Sequence, residues 1–241
     1  MNPFSALIDL IIPRKCHLCG EMLLEKEEFF CEDCASKFPR TYYEKYWDNA
    51  ADPNARPNSD LNPMEQRFAG QIPLERACAP FFYSRDSSIA SLVHDFKYRG
   101  FSRLASVLGA LGAQKLMDSG LFDGVDVILP VPLHWRKKLK RGYNQTEMIA
   151  KGISEATGIR VGTNLKAHKP HRTQTSLTST QRHENTKGIF KIEHPEQLEG
   201  KTVMLVDDIC TTGATLLSAS EALAASTKNN VKIRIFTLGV V

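Results

Sequence analysis

Four apolar residues, Val203 to Val206, run directly into two adjacent carboxylates, Asp207 and Asp208. A short polar turn of Thr211, Thr212 and Gly213 follows, and then an apolar helical pattern begins. An unbroken apolar run is what a strand covered on both faces needs, as in a parallel sheet between helices. In such sheets ligands bind beyond the carboxyl ends of the strands. The turn would present amides and hydroxyls at a helix N-terminus, which suits a phosphate. Two acids would repel that phosphate, so they must face sugar hydroxyls or a cation. Gly200-Lys201-Thr202 imitates the end of a nucleotide-binding glycine loop. However, Pro195 stands at its first glycine position and a strand follows where a helix should.

The rest of the second half has the same texture. Ala79–Tyr83, Val125–Val131, Ile159–Val161, Thr202–Val206 and Val231–Phe236 read as strands. Ser88–Phe96, Arg103–Met117, Gln145–Ala156 and Thr215–Ala225 read as helices. The expected fold is α/β, a mostly parallel sheet flanked by helices. Residues 166–190 contain no convincing element, and a polar stretch this long in a compact domain is usually functional or disordered.

The first forty residues differ. Cys16, Cys19, Cys31 and Cys34 read C-x2-C-x11-C-x2-C, a spacing that places four sulfurs on one tetrahedral Zn2+. Gly20 fits the tight knuckle after Cys19. A unit this small cannot build its own core, so the metal would hold it together. Leu7, Ile8, Ile11 and Ile12 suit a short amphipathic helix that docks on something larger. The expected organisation is a zinc finger at 1–40, an irregular linker at 41–74 and an α/β domain at 75–241. The linker holds Tyr42, Tyr43, Tyr46 and Trp47, then a Pro/Asn/Asp cluster over residues 52–60.

With 241 residues, 42% hydrophobic and 24% charged, the chain can bury a real core, which excludes disorder as its main state. No 18-residue apolar stretch exists, so no membrane span is expected. The N-terminus lacks a basic start and a small-residue cleavage site, which points to a cytoplasmic protein. The net charge of +4 names no partner by itself. Its distribution is more telling. Arg136, Lys137, Lys138, Lys140 and Arg141 follow a strand without an intervening acid, and six more cations lie between Lys166 and Lys191. Both stretches are candidate anion sites, with a solvated surface as the plain alternative.

The segment VMLVDDICTTGAT resembles the phosphoribosyl pyrophosphate (PRPP) signature of type I phosphoribosyltransferases. That resemblance implies a 5′-phosphate on Thr211, Thr212, Gly213, Ala214 and Thr215. It also implies ribose hydroxyls on Asp207 and Asp208, and Mg2+ bridging ribose and pyrophosphate. Pyrophosphate would meet the loop after the Val125–Val131 strand. Arg141 is the first choice there, with Arg136 and Lys137, and Lys97 is a second candidate. Arg172 and Arg182 would reach it from a mobile loop over residues 166–190.

The order of the cysteine knuckle, FKYRG, PVPLHWRKKLKRGYNQ, RTQTSLTSTQRHEN and VMLVDDICTTGAT resembles the ComF family of competence-associated proteins. The family implies an N-terminal zinc finger on a type I phosphoribosyltransferase domain, with Mg2+ and PRPP as ligands. It also implies a role in natural transformation that handles single-stranded DNA, with other competence proteins as partners. Two functions are thus expected. One is an enzyme displacing pyrophosphate from PRPP. The other is a DNA-handling or regulatory module that binds PRPP without transferase activity.

Overall fold

The computed structural model describes residues 13–48, 61–133, 139, 141–167 and 188–241. The 7–12 helix and the 52–60 cluster expected from sequence lie outside these residues.

Seven strands are present among them: β1 (Leu74–Cys78), β2 (Phe81–Phe82), β3 (Val127–Pro130), β4 (Leu165–Ala167), β5 (Phe190–Ile192), β6 (Lys201–Cys210) and β7 (Val231–Val240). The helices are α1 (Glu32–Ser36), α2 (Lys45–Asp48), α3 (Ser88–Tyr98), α4 (Ser102–Lys115), α5 (Gln145–Thr157) and α6 (Ala214–Ser226). The main sheet runs β1-β7-β6-β3, with β2 continuing beside β7, and every pairing in it is parallel. The Ile159–Val161 strand expected from sequence reduces to one parallel bridge, Val161 to Ile128. Strands β4 and β5 form a separate antiparallel pair at the two ends of the 166–190 stretch.

Burial explains the central strand. Val203, Met204, Leu205 and Val206 of β6 are fully buried between β3 and β7, so each must be apolar. Strand β7 alternates through Lys232 and Arg234, then becomes buried throughout from Ile235 to Val240. Helices α4 and α5 cross with their backbones touching. A Cβ on Gly109 would stand 2.4 Å from the Ile149 carbonyl oxygen, and one on Gly152 would stand 1.9 Å from that of Ser106. Only glycine permits this approach.

The N-terminal ribbon folds around its cysteines. The four sulfurs lie within 4.8 Å of one another, a spacing that tetrahedral thiolate coordination of Zn2+ requires. Leu18 and Cys31 amides donate to the Cys16 sulfur at 3.4 Å. Burial opposes the Cys16 thiolate, but these amides and those near Cys19 bring its pKa down to about 6. Gly20 turns the knuckle at φ 79°.

The ribbon shares the core of the α/β domain. Phe30, Phe38 and Phe81 pack edge to face at 5.3 and 5.4 Å. Residues 61–73 are irregular in backbone yet tightly held. Asn62, Met64 and Phe68 are fully buried, and Glu65 accepts hydrogen bonds from the Asn62 and Ala77 amides and the Trp47 indole. No helix among the described residues is long and apolar enough to cross a membrane.

Candidate functional site

A cavity of ≈ 260 Å3 opens at the carboxyl ends of β3 and β6. The fold brings several sequence candidates there: Lys97 from α3, Arg141, Asp207 and Asp208 from β6, and Thr215 from α6. Its apolar wall includes Val131, Ile189 and Phe190.

The two acids lie within β6, because hydrogen bonding to β7 continues past them to Cys210. Their environments differ. Asp207 is half-buried and its Oδ1 accepts the Asp208 amide at 2.8 Å. Asp208 is buried and saturated with donors. Its Oδ2 accepts from Lys97 Nζ at 2.8 Å and from Gln145 Nε2 at 2.9 Å, while Oδ1 accepts the Ile209 amide at 2.7 Å. Burial alone would raise the Asp208 pKa, but the Lys97 charge and these donors hold it below the usual carboxylate range. Burial likewise works against the Lys97 ammonium, and Asp208 with Asp207 outweighs it and raises its pKa. The pair is therefore ionised at neutral pH.

After β6 the chain turns through Thr211 and Thr212, both exposed, into α6. Gly213 caps the helix at φ 79°, and a Cβ there would stand 3.0 Å from two ring atoms of Phe68. Gly213 gives α6 no side-chain cap, Thr212 Oγ1 accepts from the Ala214 amide at 3.5 Å, and no acid occupies the first turn, so the remaining amides there suit an anion. Arg67 supports the turn from behind by donating to the Thr211 carbonyl and to the Val241 carbonyl. Cys210 is buried and its thiol is pushed up to about 11, chiefly by burial, which leaves it protonated and unreactive.

Arg141 lines the cavity, and its guanidinium carbon lies 5.2 Å from the centroid of the exposed Tyr98 ring. Arg136, Lys137, Arg172 and Arg182 lie outside the described residues. Sequence reasoning missed Gln145, Arg67 and Phe68. Gln145 was legible only as the first residue of a helix after Asn144, whose side chain accepts from the Thr146 amide.

Residues 144–238 match a family model described as the phosphoribosyl transferase domain, and residues 7–55 match one described as a double zinc ribbon domain. The chain is similar to "DNA utilization protein YhgH" of Escherichia coli O6:H1, 28% identical over 149 residues, which covers 60% of this chain and 65% of that protein. It is also similar to "Competence protein ComFC" of Bacillus subtilis, 26% identical over 230 residues, with 90% of this chain and 86% of that one covered. Among solved structures, one titled as the allosteric regulatory enzyme of purine biosynthesis superposes with a TM-score of 0.39 at 21% identity. That match covers 59% of this chain and 29% of that one. The fold is that of a type I phosphoribosyltransferase with an N-terminal four-cysteine ribbon.

Proposed function

We propose that this chain, which joins a zinc ribbon to a phosphoribosyl transferase domain as ComF-family proteins do, binds Mg-PRPP in the cavity at the carboxyl ends of β3 and β6. One observation carries the reading: an acid pair, Thr215 from the first turn of α6 and two cations line a single cavity. The 5′-phosphate lies on the turn from Thr211 to Thr215, which offers it first-turn amides of α6 and threonine hydroxyls. The ribose lies toward Asp207. Pyrophosphate lies toward Lys97 and Arg141, whose charges offset those of the leaving group.

The cavity's donors suit Mg2+. It takes oxygen ligands, keeps several waters, and binds through one or two carboxylates together with substrate phosphates. Asp207 would supply the protein oxygen, and the ion would neutralise charge on the pyrophosphate. The ribbon's thiolates would hold a structural Zn2+. A reducing cytoplasm, where such thiols stay unpaired, is the compartment that suits them.

For the wider role we propose DNA uptake, in keeping with relatives named for DNA utilization and for competence. A single-stranded DNA reading rests on a separate observation: Tyr98 is exposed beside Arg141 at the cavity rim, a pairing that can stack on bases. Calorimetry with Mg-PRPP is the test, on wild type, Asp207→Asn and Thr212→Val. Binding by wild type that weakens about tenfold or more in the variants supports the proposal. Wild type that shows no heat of binding defeats it.

A further inference from the structure

We infer that Gln145 is the residue that reads a ring hydroxyl of the bound pentose phosphate, through its carboxamide oxygen. The inference rests on the PRPP-site reading above and adds a specificity determinant to it.

Gln145 is 4% exposed and lines the cavity. Its amide orientation is fixed chemically. Nε2 points at Asp208 Oδ2, and an ionised carboxylate only accepts hydrogen bonds. Oε1 must therefore face away from Asp208. That oxygen is buried and has no hydrogen-bond partner among the described residues. A buried acceptor without a donor is costly, and the great majority in native proteins are paired. The neighbouring polar groups are already engaged: Thr146 donates its hydroxyl to the Val131 carbonyl, and Asn144 caps α5. A donor on a ligand in the cavity that Gln145 lines would satisfy this oxygen.

Its chemistry follows from its position. Phosphate and pyrophosphate oxygens are acceptors and cannot serve Gln145 Oε1. A sugar hydroxyl can donate. Asp208, which carries Lys97 and Gln145 on the same oxygen, fixes the amide in place. The acid pair thus divides its work. Asp207 meets the ligand, and Asp208 orients Gln145 and Lys97. Rejection of a sugar lacking the hydroxyl arises because Oε1 would stay buried and unpaired.

The test uses calorimetry on the full chain with ribose 5-phosphate, 2-deoxyribose 5-phosphate and 3-deoxyribose 5-phosphate. Wild type, Gln145→Met and Gln145→Asn are compared. Wild type should prefer ribose 5-phosphate over each deoxy sugar, by about tenfold or more for the one whose missing hydroxyl faces Gln145. Gln145→Met should erase one of the two preferences and keep the other. Should that variant fail to fold, Gln145→Asn, which withdraws the oxygen by one methylene, decides by the same criterion. A variant that keeps both preferences, or weakens all three sugars alike, overturns the inference and leaves the site reading standing. Wild type that binds the sugars without preference also overturns it. Wild type that binds neither these sugars nor Mg-PRPP removes both.

Discussion

His17 Nδ1, in the cysteine knuckle, lies 3.3 Å from Asp95 Oδ2 on the helix that carries Lys97 into the cavity. The His17 ring also packs edge to face on Phe29 and Phe101, and Arg103 reaches back to Glu28 through two hydrogen bonds. The ribbon thus fixes how α3 sits, two residues before Lys97. Chelating the zinc, or replacing His17 with alanine, should weaken Mg-PRPP binding by a few-fold although neither change touches the cavity. Titration calorimetry before and after metal removal reads this. Equal affinity in the two forms would separate ribbon from site.

The Lys97–Asp208 pair should give stability a defined pH window. The Asp208 pKa is lowered in the fold, so its contribution is present above the ordinary carboxylate value of 3.8 and fades as pH falls through the lower folded value. The Lys97 pKa is raised, so its contribution is present below 10.5 and fades as pH rises through the higher folded value. Lys97→Met leaves a buried carboxylate without its cation and should cost about 3 kcal/mol or more at neutral pH. Lys97→Met with Asp208→Asn should recover much of that loss and flatten the acid limb. Urea denaturation between pH 3 and 8 measures both effects.

Gly213→Ala should destabilise for two separable reasons. The left-handed backbone costs a residue with a Cβ about 1–2 kcal/mol, and the new methyl meets the Phe68 ring. Adding Phe68→Leu should relieve the contact and leave the backbone cost. Denaturation of the two single variants and the double variant gives the coupling directly. Strict additivity would mean that Phe68 does not brace the turn.

Arg67→Ala should leave the sheet intact and loosen the turn it holds at Thr211. The expected outcome is unchanged far-ultraviolet circular dichroism with Mg-PRPP affinity reduced about tenfold. A variant with wild-type affinity would show that the turn keeps its shape unaided.

The sheet and the turn were readable because each announces itself locally. The apolar run before Asp207, the Thr/Gly turn and the paired cysteines need only neighbouring residues to be recognised. Strand β6 still proved longer than its apolar run, since β7 beside it satisfies the backbone past the acids. Gln145 and Arg67 were hidden because their partners are remote: 63 residues separate Gln145 from Asp208, and 144 separate Arg67 from Thr211. Residues 61–73 show neither helical nor strand periodicity and so read as part of a linker. Only the folded chain reveals that Phe68 fills the space behind Gly213.

The backbone contact between α4 and α5 bears on selectivity. Helix α5 begins with Gln145, and at Gly109 and Gly152 it has no clearance against its neighbour. Gly152→Ala should therefore cost about 3 kcal/mol, at the upper end of overpacking penalties. A wall seated this firmly works as a fixed gauge. A sugar that does not match the set distance between Gln145 and the turn is refused by shape and hydrogen bonding, without any need for the helix to move.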